Sequence, residues 1–294
     1  MINSAASTMK TGWDATRVRL EDYFDRTAFD AWAALTSDAP VSKIRQTVRA
    51  GREDMRNMLL SWLPEDLSGR RILDAGCGTG ALLCDLAAAV GPGGRVIGVE
   101  PQTALAHAAS QRLTAAGYEP VSEVRNESAH MLSLETGSAA ACLAQTVLIH
   151  LPDEMLQEAL REMIRVVRPG GRVVSVDQDG DTWVIDHPDR ELTRRIVRFN
   201  SDQRYADGWT GRRLRRFFRQ AGLSDVEVHT RTHVDTAIDS YLYGMALRVA
   251  GSAAEAGTIS EAERSEWVRQ LHELASAGDF FSSITSFACV GTRV

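Results

Sequence analysis

The sequence has little of what marks secreted, membrane-spanning or nucleic-acid-binding proteins. Its four cysteines are scattered without a C-x-x-C pair, so no disulfide framework is indicated. No stretch approaches the roughly 18 consecutive apolar residues of a transmembrane helix. Lysine and arginine total 33 against 39 aspartates and glutamates, and this net charge of −6 argues against a general nucleic-acid binder.

The N-terminus also lacks a targeting signal, because the charged stretch Met1–Leu20 contains no apolar core of a signal peptide. We therefore expect a reduced, cytoplasmic protein. With 44% hydrophobic and 24% charged residues, the composition is typical of a soluble globular chain. The expected partner is a small molecule, and the only protein partner we consider is a second copy in a homodimer.

Two helical periodicities precede the first strong strand signal. The second of them runs over Val41–Trp62, and Ser37–Pro40 separates the two as a turn. We expect residues 1–65 to form a helical arm or lid, and residues 66–294 to form the main domain.

From Arg71 onward, short apolar strands alternate with helical stretches. This alternation predicts an α/β fold, a Rossmann-like and mostly parallel sheet with helices on both faces. The predicted strands are Arg71–Ala75, Arg95–Val99, Pro120–Val124, Ala140–Ala144 and Arg172–Val176, and the helices are Ala81–Val90, Thr103–Ala116 and Glu154–Val167. Ligands of such sheets bind at the carboxyl ends of the strands.

The C-terminal third begins with a predicted loop-rich insert over 177–208. The elements predicted after it are a helix (Arg212–Ala221), a strand (Val226–Arg231), two helices (Ala237–Val249 and Ser260–Ser276) and a last strand (Phe280–Gly291). We expect the segments 177–209 and 235–277 to be insertions that form the acceptor side of the site.

A glycine-rich loop follows the first predicted strand. Gly76, Gly78 and Gly80 permit a tight turn and a ligand lying against the backbone, and a helix begins directly after them. Glu100 ends the next strand, where a carboxylate can accept hydrogen bonds from both hydroxyls of a ribose.

The glycine pattern alone leaves two cofactors open. Together with Ala81, it also satisfies the relaxed dinucleotide fingerprint of NAD-binding proteins. Asp74 favours the other cofactor, because its carboxylate suits the ammonium group of an amino-acid-like ligand and would repel a pyrophosphate. S-adenosylmethionine, a sulfonium with an amino-acid tail, is therefore favoured over NAD.

Three motifs resemble class I S-adenosylmethionine-dependent methyltransferases: Asp74-Ala-Gly-Cys-Gly-Thr-Gly80, Glu100, and Arg168-Pro-Gly-Gly171. Residues from about 71 to 294 are most similar to the type-11 group, which includes the ubiquinone and menaquinone methylases. The resemblance implies a seven-stranded sheet with an antiparallel last strand. It also implies that S-adenosylmethionine is the methyl donor and S-adenosylhomocysteine the product.

The same resemblance implies a set of cofactor contacts. The methionine end would meet Asp74 and the glycines, and the ribose would meet Glu100. Glu127 and Ser128 would contact the adenine, although the family usually has Gly-Asp-Ala where this chain has Asn126-Glu127-Ser128. The full predicted set is Asp74, Gly76, Cys77, Gly78, Gly80, Glu100, Pro101, Glu127, Ser128, Gln145 (beside the sulfonium) and His150.

A narrower resemblance covers residues 20 to 80. Tyr23-Phe-Asp-Arg-Thr-Ala28, Trp32, Val41–Arg52 and Leu60-Ser-Trp-Leu-Pro64 are similar to bacterial magnesium-protoporphyrin O-methyltransferase, and one later echo is Val147-Leu-Ile-His150. This resemblance implies a tetrapyrrole propionate as the methyl acceptor. The type-11 half instead implies a smaller aromatic or quinone-like hydroxyl.

His150 and Tyr23 are the predicted catalytic residues. A phenolic acceptor would benefit from a base such as His150, whereas a propionate is already ionised and needs only alignment. The predicted substrate-binding residues are Trp32, Asp177, Asp179 and Trp183. For His150 the alternative is a packing or capping role, for the two aspartates it is turn capping, and for Trp32 it is core packing.

Two further features and one further hypothesis are less specific. His229 and His233 are four residues apart in a strand-like run, and a half-exposed strand face is favoured over a metal site. The cluster Arg212, Arg213, Arg215, Arg216 and Arg219 could hold an acidic substrate, although a solvated helix face is favoured. A third hypothesis for the whole protein is a binder of the cofactor or its product without catalysis.

Overall fold

The structure is a computed structural model that describes residues 57–294. Its strands are β1 (Arg71–Ala75), β2 (Arg95–Val99), β3 (Ser122–Arg125), β4 (Ala139–Gln145), β5 (Val167–Gln178), β6 (Val184–Ile185), β7 (Ser224–Asp235) and β8 (Ser282–Thr292). Its α-helices are α1 (Ala81–Val90), α2 (Thr103–Ala115), α3 (Asp153–Val166), α4 (Arg190–Phe199), α5 (Thr210–Gln220), α6 (Tyr241–Glu255) and α7 (Glu261–Ala277). None of the helices in this part of the chain is long and apolar enough to cross a membrane.

One sheet contains all the strands between residues 57 and 294. Its order is β3-β2-β1-β4-β5-β8, and β7 pairs with the outer side of β8. Strands β1 to β5 are parallel, and β8 is antiparallel to both β5 and β7. The two-residue β6 pairs with β8 beyond the end of β5, so the sheet has eight strands where seven were expected. The predicted α/β fold with an antiparallel last strand is confirmed.

The strand order reverses between β1 and β4, because the chain runs from β1 outward to β3 and then returns. A reversal of this kind leaves a crevice at the carboxyl ends of the strands. The bounds of β1, β2 and α1 are those predicted from the sequence, because the apolar runs of β1 and α1 end at Gly76 and Gly91 and that of β2 ends at Glu100-Pro101.

The prediction of a loop-rich insert over 177–208 was wrong, because α4 lies within it. The Asp189 carboxylate accepts a hydrogen bond from the Leu192 N–H (2.9 Å) and so caps the start of the helix. The buried side chains of α4 recur at helical spacing: Leu192, Thr193, Ile196 and Phe199.

The two predicted insertions pack on each other. Trp183, Ile185 and α4 share one buried apolar cluster with α6 and α7. Inside that cluster, the Trp267 indole donates a hydrogen bond to the Thr193 hydroxyl (3.0 Å). Two other clusters lie against the sheet, one around α3 and α5 and one around α1 and α2. The insertions therefore form a helical layer with its own core, separate from the helices that flank the sheet.

Candidate active site

The carboxyl ends of the parallel strands lie level with one another. In the sheet register, Ala75 is opposite Val99, Val99 is opposite Arg125, and Gln145 is opposite Val176. The loops that follow these strands therefore meet at one edge, and most of the predicted cofactor residues are in those loops.

The glycine loop turns tightly between β1 and α1. Gly76, Gly78 and Gly80 all have positive φ angles, of 78°, 52° and 77°, which an L side chain rarely adopts. The N–H groups of Gly76 and Cys77 both donate to the Val99 carbonyl (2.8 and 3.0 Å), which holds the loop against β2. A Cβ built on Gly78 would meet nothing within 4 Å. The loop is thus anchored underneath and open above Gly78.

Glu100 lies under this loop and is bound to it. One carboxylate oxygen accepts from the Gly78 N–H (3.1 Å), and the other accepts from the Gln102 N–H (3.0 Å). A carboxylate has about four acceptor positions, so the side chain retains capacity for two more donors. Burial raises the pKa of Glu100 to about 7, although the two backbone hydrogen bonds oppose that rise.

Asp74 is the second buried carboxylate of this edge. It is 2% exposed and lies in the sheet between Gly98 of β2 and Leu143 of β4. Burial, with a smaller contribution from the charge of Glu100, raises the pKa of Asp74 to about 7. Since two carboxylates share a poorly solvated space, a cation bound there would relieve an unfavourable charge.

At the end of β3, Asn126 links two strands. Its amide donates to the carbonyls of Glu100 (2.8 Å) and Pro101 (3.0 Å), and its amide oxygen accepts from the Thr103 hydroxyl (3.1 Å). Asn126 therefore fixes the Glu100–Pro101 turn. The adenine contacts predicted next to it stay predictions.

Both of those predicted adenine residues already have partners in the protein. The Glu127 carboxylate accepts from the N–H and the hydroxyl of Ser133, and the Ser128 hydroxyl lies 2.7 Å from His130 Nδ1. Each side chain is half-buried. Local hydrogen bonds thus hold the loop after β3 in one conformation.

A strained residue follows β4. Thr146 has a φ of +56°, which is costly for a β-branched side chain, and its N–H donates to the Val176 carbonyl (2.7 Å). The next residue, Val147, covers the glycine loop, because a Cβ on Gly76 would lie 2.4 Å from Val147 Cγ2. The predicted sulfonium neighbour, Gln145, is half-buried directly before this turn.

His150 ends the 3-10 turn Leu148–His150 that follows this segment. Its imidazole ring packs against the Tyr205 ring, with centroids 5.8 Å apart and a tilt of 56°. The N–H groups of Ala206 and Asp207 donate to the Ile149 carbonyl (3.1 and 3.3 Å). The first insertion is therefore bound to the turn that carries the proposed base, and His150 remains a candidate.

The structure corrects the substrate-binding predictions for Asp177 and Asp179. Both are fully buried, and their carboxylates are used within the protein. Asp177 accepts from the Ile149 N–H (3.2 Å) and from the Ser175 hydroxyl (3.1 Å), and burial raises its pKa to about 7. Asp179 accepts from the Asp181 N–H (3.1 Å) and forms an ion pair with Arg212. The alternative of turn capping therefore holds for both.

Trp183 is corrected for a similar reason. It is 2% exposed, it belongs to the core of the insertions, and its indole N–H donates to the Ser282 hydroxyl (3.0 Å). Because its only polar group is paired inside this core, Trp183 has a packing role in the structure. The predictions for Tyr23 and Trp32 lie outside the described residues.

The two histidines of β7 do not form a metal site. The His229 ring stacks on Trp62 at 5.0 Å, and His233 Nε2 lies 3.1 Å from the Asp235 carboxylate. Within residues 57–294, no group of three or more metal-binding side chains occurs. The half-exposed strand face favoured from the sequence fits these contacts.

The first comparison with known proteins concerns the segment that builds this site. Residues 72–171 match the model of a family described as a methyltransferase domain. This segment is therefore similar to methyltransferase domains. The prediction of a methyltransferase is confirmed for these residues.

Two similar proteins extend the comparison. An uncharacterized 37.1 kDa protein in transposon TN4556 of Streptomyces fradiae is 35% identical over 76% of this chain and 62% of its own length. Magnesium-protoporphyrin O-methyltransferase of Rhodobacter capsulatus is 49% identical over 36% of this chain and 46% of its own length. The chain thus spans about half the length of these curated relatives.

A solved structure shows the same fold as the methyltransferase domain. Magnesium protoporphyrin IX methyltransferase from Synechocystis PCC 6803, crystallised with bound S-adenosylmethionine, superposes with a TM-score of 0.52 at 17% identity. The match covers 92% of this chain and 96% of that one. At this identity the likeness extends to the fold and not to the acceptor.

Sequence reasoning missed two residues that shape the site of the methyltransferase domain. A Cβ on Gly98 would lie 2.5 Å from Leu83 Cδ1 and 2.8 Å from Cys77 Sγ, so this glycine lets α1 and the loop approach β2. An isolated glycine within a strand signals such an approach, and that signal was available. Val147 packs over Gly76 across the sheet edge, and nothing in the sequence pattern indicated that contact.

Cys77 contributes bulk and not reactivity. Its thiol is buried, and burial together with the nearby carboxylates raises its pKa well above the ordinary value. A thiol that stays protonated is a poor nucleophile. Within the glycine loop, Cys77 therefore acts as a small buried side chain, and its predicted contact with the cofactor stays a prediction.

The buried carboxyls predict that the protein without its cofactor becomes more stable as the pH falls from 8 to 6. Asp74, Glu100 and Asp177 have pKa values of about 7 when folded, above their unfolded values. The folded state therefore binds more protons in this range, so stability is lost as the pH rises through 7. We expect a gain of about 1 kcal/mol per carboxyl in the free energy of unfolding.

Urea denaturation at several pH values measures this dependence. Asp74→Asn should remove the contribution of one carboxyl, whereas Asp279→Asn, at an exposed position, should leave the slope unchanged. A stability that rises with pH between 6 and 8 would contradict the assignment.

Proposed function

We propose that this protein transfers a methyl group from S-adenosylmethionine to a carboxylate or hydroxyl of a mid-sized hydrophobic acceptor. The observation that carries the proposal is the pair of buried carboxylates, Asp74 and Glu100, on either side of an open glycine loop. A ligand with an ammonium group at one end and a ribose in the middle matches that pair in charge and in hydrogen bonding. The matched domain family supports the same cofactor.

The residues present fit this cofactor. Asp74 offers an uncompensated buried carboxylate to the ammonium group, and Glu100 keeps acceptor positions for ribose hydroxyls. Gly78 leaves space above the backbone, where a side chain would interfere. S-adenosylmethionine supplies an electrophilic methyl group on its sulfonium.

Alignment is the main contribution expected from the protein chain. Displacement at a methyl group requires that the nucleophile stand in line with the leaving sulfur, so positioning and exclusion of water account for most of the rate. The Thr146–Val147 turn and the insertion bound to Ile149 border the edge where the acceptor must enter. Their rigid hydrogen bonds suit this positioning role.

The best single acceptor is a tetrapyrrole propionate such as that of magnesium-protoporphyrin. Support comes from the arm motifs and from the relative that is 49% identical over 36% of this chain. A propionate needs no base, because it is ionised at neutral pH. That relative matches over a limited segment, so the choice of acceptor is based on resemblance. The following experiment tests it.

Single-turnover transfer of labelled methyl from S-adenosylmethionine tests the proposal. The full chain is mixed with magnesium-protoporphyrin or with a panel of phenols and quinols, and products are separated by chromatography. We expect a labelled porphyrin ester. Label on a phenol alone would assign the acceptor to the second candidate below, and a bound cofactor without turnover would favour a binding protein. Failure to bind the cofactor would overturn the proposal.

A smaller aromatic or quinone-like hydroxyl is the second candidate, and the position of His150 favours it. The imidazole follows the β4 turn and packs on Tyr205 at the acceptor edge. A hydroxyl with a pKa near 10 gains from a positioned base, typically by about 10²–10⁴ in rate.

His150→Ala should therefore slow methylation of a phenolic acceptor by roughly 10²–10⁴ at pH 7. The loss should shrink as the pH approaches the pKa of the phenol, because the acceptor then ionises without help. Initial rates across pH 6 to 10 measure this effect, with His107→Ala, on the exposed side of α2, as the matched control. An unchanged rate would reject His150 as the base and leave it a packing role.

A further inference from the structure

The exposed side of α5 carries a row of arginines. Arg212, Arg215, Arg216 and Arg219 follow one another at the spacing of one helix face, and all four are exposed. We call them the arginine face. The opposite side of the helix is apolar and buried in the core, through Leu214, Phe217 and Phe218.

Three members of the arginine face have no ion-pair partner in the structure. Arg212 is paired with the buried Asp179, but no acidic side chain of the described residues pairs with Arg215, Arg216 or Arg219. Arg161, Arg190, Arg198 and Arg248 are also exposed on helices and pair with no acidic side chain among residues 57–294, but they do not form a row, and other helical arginines do have such partners. The matched set is Arg194 with Glu191, Arg264 with Glu261, and Arg269 with Glu266 and Glu273.

This clustering of like charges has an energetic cost, which the contacts of Arg212 with Asp179 and of Arg216 with the Phe217 ring (5.6 Å) offset only at those two residues. Like charges spaced by three or four residues destabilise a helix by about 0.2–0.5 kcal/mol per pair. The chain as a whole is acidic, with a net charge of −6, so the row is a local reversal of sign. Since no carboxylate among residues 57–294 pairs with three of these arginines, a bound anion would compensate the charge.

A tryptophan lies at the start of the same helix. Trp209 is 47% exposed, and the Arg212 guanidinium stands 4.7 Å from its ring. Beside it, the four arginines and Gln220 line a shallow cavity of about 510 Å³. Tryptophan is enriched where protein meets the headgroup layer of a membrane, because its ring is apolar and its N–H is polar.

The arginine face also lies near the edge of the proposed site. Gly211 packs against the end of β5, where a Cβ would be 2.8 Å from the Asp177 carbonyl oxygen. Asp177 in turn accepts from the N–H of Ile149, next to His150. The helix therefore begins at the sheet edge where the strands end.

We propose that the arginine face and Trp209 dock on an anionic phospholipid surface. Guanidinium groups bind phosphate in bidentate fashion, and a helix with basic residues and an aromatic anchor can lie in the plane of the interface. An 11-residue helix is about 16 Å long. It can therefore contact few of the 6–10 phosphates that nucleic-acid binders contact, which favours a lipid surface. Docking would bring the acceptor edge to a substrate dissolved in the lipid, a consequence that rests on the proposed function.

Co-sedimentation of the full chain with vesicles tests the proposal, without cofactor or acceptor. We expect binding to vesicles of phosphatidylcholine and phosphatidylglycerol (3:1) at low salt, little binding to phosphatidylcholine alone, and weakening as salt screens the charges. The triple variant R215Q/R216Q/R219Q should bind about 100-fold more weakly, since each arginine near the surface contributes about fivefold. Arg219→Gln alone should give roughly one such fivefold step.

The matched control is R194Q/R264Q/R269Q, which removes the same charge from exposed positions on α4 and α7. It should bind the vesicles as the unmodified protein does. Equal loss in both triple variants, or equal binding to the two kinds of vesicle, would overturn the proposal. Tighter binding to a DNA duplex, or release by millimolar inorganic phosphate, would replace it with a nucleic-acid surface or a small-anion site. Because no methyl transfer is measured, failure of the proposed function leaves these readouts unaffected.

Discussion

Asp74→Asn should weaken S-adenosylmethionine binding by roughly 100-fold while stabilising the cofactor-free protein. The loss follows because a charge-assisted hydrogen bond is worth about 1.5–3 kcal/mol, and the amide has no charge to offer the ammonium group. The gain follows because burial and Glu100 make the Asp74 charge unfavourable, so a neutral side chain of the same shape removes a cost. At pH 8 this should add about 1–3 kcal/mol to the free energy of unfolding.

Calorimetric titration and thermal melts of the same samples measure the two effects together. Asp279→Asn, at an exposed position, provides the control and should change neither quantity. A variant that is less stable and still binds the cofactor normally would show that Asp74 supports the fold and not the ligand. Lower stability together with weaker binding would mean that the asparagine disrupts the edge of the sheet.

Two alanine substitutions in the glycine loop should separate folding from ligand binding. Gly80→Ala combines a positive φ with a Cβ 2.9 Å from Ala109 Cβ and 3.0 Å from its Cα. Backbone strain of about 1–2 kcal/mol and overpacking of about 1–3 kcal/mol should together cost about 3 kcal/mol of stability. Gly78→Ala carries the strain but meets nothing within 4 Å, so it should cost about 1 kcal/mol.

The two variants should rank in the opposite order for cofactor affinity, with Gly78→Ala the more strongly affected. The Cβ of Gly78→Ala enters the open space above the loop where the ligand is proposed, so affinity should fall at least about 10-fold despite a nearly intact fold. For a domain of this size, 1 kcal/mol corresponds to about 2–4 °C in Tm, so melts resolve the stability difference. If Gly78→Ala binds S-adenosylmethionine with unchanged affinity, the ligand does not lie over this loop.

Local sequence signals were enough to predict most of the fold. The bounds of β1, β2 and α1 follow from apolar runs that end at a glycine or at Glu100-Pro101. Later boundaries differ by a few residues because helix ends and strand ends depend on neighbours. The exception is α4. This segment is mostly charged, and its apolar residues form only a narrow stripe. The segment is helical because α6 and α7 cover that stripe.

Acidic residues after the strands were harder to assign than the glycines. Asp74, Asp177 and Asp179 each lie in the last part of β1 or β5 or directly after it, and the sequence predicts ligand contacts for all three. The structure separates them by their partners: Asp177 caps the turn that precedes His150, and Asp179 is neutralised by Arg212. Only Asp74 combines burial, a raised pKa and a neighbouring carboxylate at the glycine loop.

By itself, the sequence determined the class of fold, the glycine loop and the pairing of Asp74 with Glu100, because these depend on short-range periodicity and on residue types at fixed spacing. Tertiary structure decided which side chains remain available to a ligand. Burial and hydrogen bonding turned Asp177, Asp179 and Trp183 into structural residues, because their partners lie 28 to 99 positions away in the chain. It also decided that three arginines of α5 have no carboxylate partner within residues 57–294, since ion pairing depends on which surfaces the fold brings together.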